Sequence, residues 1–212
     1  MDATVTVTET ADVGPDTVSI AFETPEGFDA QPGQFVKLSA EVDGESYARF
    51  YTISSPDMVA EFEITIEIDP TESGPFSEHL AGLSTGDTIE MSGPFGSDYY
   101  EGEPRVIVLA GGPGIGPAVG IGERVIDDGG ELAIIYTDNA PAHEDRLSKL
   151  DAAGASVAIT DGAITEAVDA ALTGHEDEQV FVYGFADFVD EAIEATEAAG
   201  GDPDAVKVEN FG

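Results

Sequence analysis

Hydrophobic and polar residues alternate along most of the first hundred positions. The segment Glu61–Ile68 is the clearest example, because one phenylalanine and three isoleucines alternate there with three glutamates and a threonine. This period of two is typical of a strand with an apolar face on a core and an acidic face in solvent. Repeats of the pattern, separated by glycine and proline turns, predict a six-stranded antiparallel β-barrel with one short helix. The predicted strands are Thr4–Thr10, Asp16–Thr24, Gln34–Ala40, Ala48–Ser55, Glu61–Ile68 and Gly86–Ser92, and the predicted helix is Pro75–Leu83.

The pattern changes after the polar link Ser97–Pro104. The run Arg105–Ala110 is almost continuously apolar, as expected of a parallel strand that is covered on both faces. Strand segments then alternate with helical segments, which predicts a doubly wound parallel α/β domain. We therefore expect two domains, a barrel at residues 1–98 and an α/β domain at residues 104–212. The later predicted strands are Glu131–Thr137, Ala155–Thr160, Gln179–Tyr183 and Val206–Glu209, and the predicted helices are Ile115–Asp127, His143–Ala153, Ile164–Leu172 and Ala186–Ala199.

The charge balance is strongly acidic. The 212 residues include 7 lysines and arginines against 44 aspartates and glutamates, a formal net charge of −37. Because 42% of the residues are hydrophobic and fall into periodic runs, this charge indicates an acidic surface and not disorder. Nucleic acid and anionic membranes bind through basic patches, so neither is expected as a partner. Such a surface suits multimolar salt, where the Debye length falls to about 3 Å. We therefore expect the protein to work in the high-salt cytoplasm of a halophile.

The absence of cysteine excludes disulfides, thiolate-held iron–sulfur clusters and a catalytic thiol. His79, His143 and His175 are too few and too scattered for a zinc site, and no metal site is predicted. Met1–Thr4 has neither the basic region nor the apolar segment of a signal peptide, so none is expected. The longest uncharged run, Val106–Gly122, is interrupted by prolines, and no membrane span is expected.

The predicted strand Ala48–Ser55 carries the first candidate site. It places one of the seven basic residues, Arg49, next to an aromatic ring and a hydroxyl at Tyr51 and Thr52. A cation, a flat ring and a hydroxyl on one strand suit a ligand that contains a phosphate and a heterocycle. The alternative interpretation is an ordinary half-buried strand with a surface arginine.

Three further segments are candidates. Gly111-Gly112-Pro113-Gly114 joins the first α/β strand to its helix, where glycine permits close approach and backbone amides favour a phosphate. Gly74-Pro75-Phe76-Ser77 begins the short barrel helix and offers amides and a hydroxyl in the same way. The alternatives are a tight glycine turn and a simple helix cap. In Glu209-Asn210-Phe211, the aromatic ring either packs internally or covers a planar ligand.

In this order, the segments resemble the ferredoxin–NADP reductase superfamily, which includes flavin reductases and cytochrome b5 reductases. Arg49-Phe50-Tyr51-Thr52 matches the family's Arg-x-Tyr-Ser/Thr, Gly74–Ser77 its Gly-x-x-Ser, and Gly111–Pro117 its Gly-Gly-x-Gly-Ile-x-Pro. Val182-Tyr183-Gly184 stands where the family has Cys-Gly, and Glu209-Asn210-Phe211 matches its terminal Glu-x-Phe. The resemblance spans nearly the whole chain. It implies a flavin-binding barrel followed by a nucleotide-binding α/β domain.

On the flavin side, the resemblance implies a role for each motif. Arg49 would pair with a flavin phosphate, Tyr51 would stack on the isoalloxazine, and Thr52 would hydrogen-bond N5, the atom that receives the hydride. The backbone of Ile66 through Ile68 would run beside the cofactor. Gly74–Ser77 would hold the pyrophosphate, which favours FAD over FMN.

On the other side, Gly111 to Gly114 would face a nicotinamide nucleotide, NADH or NADPH, together with Tyr183 and Gly184. Pro113 stands where the family usually has threonine, so a hydroxyl and an amide donor are missing there. Tyr183 replaces the family's cysteine, and its larger ring could obstruct the nicotinamide. Glu209 and Phe211 would complete the site.

The segments that would meet the adenosine end of the nucleotide also depart from the family. No arginine follows Tyr136, and Thr160-Asp161-Gly162 lacks the family's Ser-Arg pair for a 2′-phosphate. Asp138 and Asp161 would repel that phosphate and could accept a hydrogen bond from a 2′-hydroxyl. We therefore favour NADH over NADPH.

The resemblance implies an FAD-dependent oxidoreductase that moves a hydride from NAD(P)H to flavin N5 and passes electrons singly to a separate acceptor. Without cysteine there is no built-in iron–sulfur relay, so the acceptor would be a protein such as ferredoxin, a free flavin or another small molecule. An acidic ferredoxin would meet few cations on this surface, which opposes electrostatic steering. Two alternatives stay open: a flavin-binding electron-transfer or regulatory subunit with a decayed nicotinamide site, and a folded two-domain protein with no cofactor.

Overall fold

A computed structural model describes residues 1–68 and 74–212 of the chain. In the described part of the first half, strands pair antiparallel in the order β4-β3-β6-β1-β2-β5, and a bridge between Ile53 and Ile64 joins the two edge strands. The predicted six-stranded antiparallel barrel is therefore confirmed. Its elements are β1 (Asp2–Gly14), β2 (Thr17–Glu23), β3 (Phe35–Val42), β4 (Glu45–Thr52), β5 (Glu61–Glu67), α1 (Pro75–Ala81) and β6 (Thr88–Phe95).

The first strand is longer than its sequence pattern predicts because it has two partners in succession. Asp2–Thr6 pairs with β6, and Val7–Gly14 pairs with β2. This double pairing carries one strand across the barrel. The inward residues of all six strands form a single apolar core, which includes Phe22, Leu38 and Phe62.

The second half contains a parallel sheet in the order β11-β10-β7-β8-β9. Val106 and Val108 pack with α2 and α3 on one face, whereas Ile107 and Leu109 pack with α4 and α5 on the other. The doubly wound α/β prediction is therefore confirmed. The elements are β7 (Arg105–Gly111), α2 (Ile115–Asp127), β8 (Glu131–Thr137), α3 (Glu144–Ala152), β9 (Ser156–Thr160), α4 (Thr165–Ala171), β10 (Glu178–Gly184), α5 (Ala186–Ala198) and β11 (Lys207–Asn210).

The prediction that the acidic face of β5 lies in solvent is wrong at its centre. Glu63 is half-buried and accepts a hydrogen bond from Arg146 of α3 at 2.8 Å. Thr65 is buried, and its hydroxyl lies 2.9 Å from His143 Nε2. The reason is that the α/β domain covers this face of the barrel. Alternation along one strand cannot report such a partner.

Two glycines on α2 allow the domains to approach closely. A Cβ on Gly116 would lie 2.7 Å from the side chain of Thr65, and one on Gly120 would lie 2.8 Å from the carbonyl of Ser54. The start of α2 is thereby held beside β4 and β5. The domain limits, 1–98 and 104–212, stay predictions. In the part of the chain that the structure describes, no helix is long and apolar enough to cross a membrane.

Candidate functional site

A cavity of about 590 Å³ lies between the two domains. One wall comes from β4, β5 and α1 of the barrel, and the other includes residues that directly follow β7, β10 and β11. The carboxyl edge of a parallel sheet is where ligands of open α/β folds bind. Eleven of the predicted site residues line the cavity: Arg49, Phe50, Tyr51, Thr52, Ile66, Gly74, Pro75, Phe76, Ser77, Pro113 and Phe211.

Arg49 is the cation of the barrel wall. It is exposed, and its Nη1 donates to the carbonyl oxygen of Ala48 at 2.8 Å. Among the described residues, no carboxylate forms an ion pair with Arg49. Its guanidinium is therefore available to an anionic group in the cavity. Four other basic residues already have carboxylate partners: Arg105, Arg124, Arg146 and Lys207.

Tyr51 supplies a flat, half-buried ring beside that cation. Its ring centroid lies 6.5 Å from that of Phe76 on α1. Burial raises the pKa of the Tyr51 hydroxyl to about 12, against a smaller lowering by its hydrogen bond with Ser77 and by the Arg49 charge. The phenol therefore stays neutral at physiological pH. It can present a ring face without adding negative charge to the site.

Thr52 and Glu209 join the two walls. The threonine hydroxyl donates to Glu209 Oε1 at 2.9 Å, between the end of β4 and the end of β11. Burial raises the pKa of Glu209 to about 7, the hydrogen bond from Thr52 lowers it in part, and the charge of Asp98 adds to the rise. This carboxyl group therefore gains and loses a proton near neutral pH.

Helix α1 begins at the cavity with proline as its first residue. Gly74 is its N-cap and makes no side-chain cap hydrogen bond. The hydroxyl of Ser77 interacts with Tyr51 and does not cap the helix. The backbone amides of the first turn consequently have no side-chain acceptor within the described residues, and this turn lines the cavity beside Arg49.

The glycine turn after β7 is packed tightly against the neighbouring strand. Gly112 has a φ of +52° and opens a short 3₁₀ turn. A Cβ on Gly114 would lie 2.1 Å from the carbonyl oxygen of Tyr183, and one on Gly111 would lie 2.5 Å from the ring of Phe188. These glycines are therefore needed for packing, whatever they bind. The interpretation of this segment as a tight glycine turn is therefore correct for its packing, and its interpretation as a ligand site stays a prediction.

Comparisons with known proteins agree with this arrangement. Residues 4–100 match the family model described as the oxidoreductase FAD-binding domain. The structure superimposes on the flavohem-like FAD/NAD-binding domain of nitric oxide dioxygenase from Vibrio cholerae with a TM-score of 0.84 and 20% identity, covering 99% of this chain and 98% of that one. The whole chain therefore has the fold of that FAD/NAD-binding domain, and its residues 4–100 match the FAD-binding family.

Further known proteins show a similar relation. A ferredoxin–NADP+ reductase from Neisseria gonorrhoeae gives a TM-score of 0.80 at 18% identity, covering 100% of this chain and 99% of that one. The chain is 38% identical over 123 residues to a probable dihydroorotate dehydrogenase B (NAD(+)) electron transfer subunit from Methanopyrus kandleri. This match covers 57% of this chain and 42% of the relative. It is 30% identical over 135 residues to NADH-cytochrome b5 reductase 1 from Laccaria bicolor, and this match covers 59% of this chain and 43% of the relative. The matches to the Methanopyrus kandleri and Laccaria bicolor proteins span less than half the length of those two relatives.

Tyr183, which the resemblance places where a cysteine is usual, lies outside the cavity lining. Its side chain is 1% exposed, and its ring stacks on that of Phe181 with centroids 6.4 Å apart. The hydroxyl donates to the carbonyl oxygen of Asp98 at 3.4 Å. It also lies against Gly33, because a Cβ on that glycine would be 2.6 Å from the hydroxyl oxygen. Burial, first of all, raises the pKa of this phenol well above its usual value. The structure therefore places the ring between the domains.

The remaining predicted residues lie behind the cavity lining. Glu209 reaches the site through Thr52, and the backbone amide of Ile68 donates to the carbonyl oxygen of Asp16 at 2.6 Å. The predicted residues outside the lining are Ile68, Gly111, Gly112, Gly114, Tyr183, Gly184 and Glu209.

Sequence reasoning did not name five of the lining residues as site residues, although two of them, Glu67 and Pro117, lie within segments that it had placed at the site. Tyr47 precedes Arg49 by two positions on β4, and its ring stacks on Phe76 with an interplanar angle of 12°. The period of two that selected Tyr51 could have selected it as well. Phe185 packs edge-on against Phe211 with centroids 6.1 Å apart, a non-local contact with no sequence signal. The missed residues are Tyr47, Thr65, Glu67, Pro117 and Phe185.

Proposed function

We propose that the protein is an FAD-dependent oxidoreductase that accepts a hydride from NADH or NADPH at flavin N5 and passes electrons singly to a separate acceptor. The observation that carries this proposal is the composition of one cavity. It combines the strand Arg49–Thr52 and the first turn of α1 with residues at the carboxyl edge of a parallel sheet. Such a site can hold two planar ligands against each other.

The barrel wall fits FAD. Within the described residues, Arg49 has no carboxylate partner, and the backbone amides of Phe76 and Ser77 nearby have no side-chain acceptor. Two such donors suit a pyrophosphate, which favours FAD over FMN. The rings of Tyr51, Tyr47 and Phe76 give the heterocycle apolar surfaces. When bound, FAD supplies the hydride acceptor and the single-electron donor.

We assign orientation and proton exchange to Thr52 and Glu209. The hydrogen bond between them fixes the threonine hydroxyl at the boundary of the walls, where it can meet N5 of the flavin. Because Glu209 has a pKa of about 7, it can hold or release a proton at its carboxyl oxygen during turnover. Tyr51, with its pKa of about 12, acts only as a neutral surface.

We propose that the nicotinamide nucleotide lies along Gly111–Gly114 and Phe211, and that NADH is preferred. Asp138, directly after β8, is held by a hydrogen bond from the Tyr136 hydroxyl at 3.2 Å and one from the Ala140 amide at 2.8 Å. A carboxylate fixed there would repel a 2′-phosphate but could accept from a 2′-hydroxyl.

The proposed electron acceptor meets the protein at the cavity rim. Two phenylalanines that line the cavity are exposed, Phe50 at 60% and Phe185 at 50%, and Phe95 beside Phe50 is 40% exposed. Phe50 and Phe95 are in edge-on contact with centroids 6.0 Å apart. An acceptor protein, such as a ferredoxin, would gain affinity from this apolar area, while a high-salt compartment would screen repulsion from the acidic surface.

A second candidate function is that of a flavin-binding electron-transfer subunit whose nicotinamide site has decayed. The likeness to the electron transfer subunit of Methanopyrus kandleri favours it, as does Pro113 in the cavity wall. In that case electrons would reach the flavin from a partner protein.

Anaerobic stopped-flow reduction of the FAD-loaded protein in high KCl separates the two candidates. We expect NADH, and more weakly NADPH, to bleach the flavin absorbance. Bound flavin that neither nucleotide bleaches would reject the oxidoreductase proposal and favour the subunit. Failure to bind FAD would reject both.

A further inference from the structure

Arg146 on α3 is shared between the two domains. Its Nε and Nη2 donate to Glu123 of α2 at 2.8 and 2.7 Å, and its Nη1 donates to Glu63 of β5 at 2.8 Å. Nη2 also donates to the carbonyl oxygen of Ser54 at 2.7 Å. With its side chain only 18% exposed, this guanidinium has acceptors on both sides of the domain boundary.

The two carboxylates around Arg146 come from different domains. Glu63 belongs to the barrel and Glu123 to the α/β domain, and each is half-buried. Burial raises the pKa of Glu63, Arg146 lowers it, and the charge of Glu123 raises it. One cation therefore lies between two acids and offsets their mutual repulsion across the boundary.

The surrounding charges make this pairing important. Acidic residues outnumber basic ones in both halves of the chain, so the domains repel each other at long range when salt is low. The contact next to Arg146 is uncharged, because burial lowers the pKa of His143 to about 3 and leaves its ring neutral against Thr65. Arg146 thus supplies the charge compensation at this point of the boundary.

The same contacts bear on the cavity. Thr65 lines the cavity, and its hydroxyl lies within hydrogen-bond distance of His143 Nε2. Its side chain also packs against Gly116 of α2. Ser54, which accepts from Arg146, follows the strand Arg49–Thr52 by two residues. A change in the position of α3 against the barrel is therefore transmitted to the barrel wall of the cavity and to the start of α2.

We propose that Arg146 is a positioning residue that holds the two cavity walls at the separation needed for hydride transfer, by pairing at once with Glu63 of the barrel and Glu123 of the α/β domain. The catalytic part of this inference rests on the proposed function. The domain arrangement itself does not require a cofactor and can be measured without one.

The absence of cysteine makes the measurement direct, because two introduced cysteines can be spin-labelled without background. Glu41→Cys on the barrel and Glu194→Cys on α5 are exposed positions in different domains. Pulsed dipolar spectroscopy would give the distance distribution between the labels at about 0.1 M and at multimolar KCl, across which the Debye length falls from about 10 Å to about 3 Å. For the doubly labelled protein that keeps Arg146, we expect one narrow distribution of label-to-label distances at both salt concentrations.

Arg146→Met should broaden that distribution and shift it to longer distances at low salt, with recovery at high salt. Arg124→Met removes the same charge from an exposed pair within the α/β domain and should leave the distribution narrow. A narrow, unshifted distribution for Arg146→Met at low salt would overturn the proposal.

The double variant Arg146→Met with Glu63→Gln tests the electrostatic cause. Because it removes one of the two repelling charges, we expect a narrow distribution at low salt, even where circular dichroism shows that the single variant has lost structure. A double variant as broad as the single one would refute the role of this charge pairing.

The functional readout is the rate of flavin reduction at saturating nucleotide. A misplacement of about 1 Å between reacting groups can cost about 100-fold in rate, so we expect Arg146→Met to lower this rate at least about tenfold at low salt with FAD occupancy unchanged. If the unsubstituted protein is not reduced by either nucleotide, the proposed function fails, whereas the distance measurement still decides the role of Arg146.

Discussion

The two walls of the cavity are built on different principles. The barrel wall presents side chains with distinct chemistry, namely the guanidinium of Arg49, the ring of Tyr51 and the hydroxyl of Thr52. The opposite wall presents a glycine turn whose backbone is pressed against β10, together with Pro113 and Phe211. Substitutions on the barrel wall should therefore change ligand affinity before stability. Substitutions in the glycine turn should change stability first.

The largest expected effect is that of Gly114→Ala. The new Cβ would lie 2.1 Å from the carbonyl oxygen of Tyr183, so the turn or β10 must move. Overpacking of this kind costs about 3 kcal/mol, and chemical denaturation should show a loss of that size. Gly162→Ala in the same domain is the control, because its nearest neighbour would be 3.9 Å away. Equal stability of the two variants would contradict the tight packing.

Arg49→Ala tests the barrel wall. Hydrogen bonds to charged groups contribute about 1.5–3 kcal/mol, so FAD should bind about 10- to 100-fold more weakly in a fluorescence titration. The unfolding free energy of the FAD-free protein should stay unchanged because Arg49 is exposed. Lys37→Ala removes a nearby cation on β3 that is outside the cavity lining, and it should leave FAD affinity intact. Equal weakening by both variants would indicate a general charge effect.

Glu209 joins the two cavity walls through its hydrogen bond with Thr52. Its titration should change the free energy of unfolding as a function of pH. Its pKa rises from an ordinary 4.5 to about 7 on folding, mainly through burial. Between these pH values the folded protein binds a proton that the unfolded chain has lost, so the free energy of unfolding falls as pH rises through this window and then levels off. Glu209→Gln should remove that component in denaturation curves measured from pH 4.5 to 8, whereas the exposed Glu194→Gln should retain it. An unchanged pH profile for Glu209→Gln would refute the assignment.

The smallest effect is expected for Tyr183→Phe. The change removes one long hydrogen bond, at 3.4 Å to Asp98, and should cost no more than about 1 kcal/mol. Because the ring lies outside the cavity lining, the rate of flavin reduction should not change. A faster reduction would mean that the phenol hydroxyl hinders the nucleotide.

Local pattern was sufficient to predict the elements of this fold. Helix α2 has the predicted limits, Ile115–Asp127, because an apolar stripe and a glycine turn both mark them. The motif strand and the start of α1 were likewise predicted as parts of one site, and both line the cavity. These features depend on neighbours in sequence, where periodicity and turn residues carry the information.

The features that sequence could not predict depend on contacts between domains. Glu63 and Thr65 have the pattern of a solvent face but meet α3 and α2. The position of Tyr183 is set by Gly33 and Asp98, which belong to distant loops. In each case the partner lies more than 50 residues away, beyond the reach of local pattern.

The hydrogen bond between Thr52 and Glu209 spans 157 positions of the chain. At a synthesis rate of about 5–20 residues per second, the partner of Thr52 leaves the ribosome roughly 10–30 s after Thr52 itself. For most of that interval the barrel strands, which end at Phe95, are complete, while the cavity stands open on the side that Phe211 will cover. A newly made barrel therefore has time to meet its cofactor from the open side before the second wall is in place.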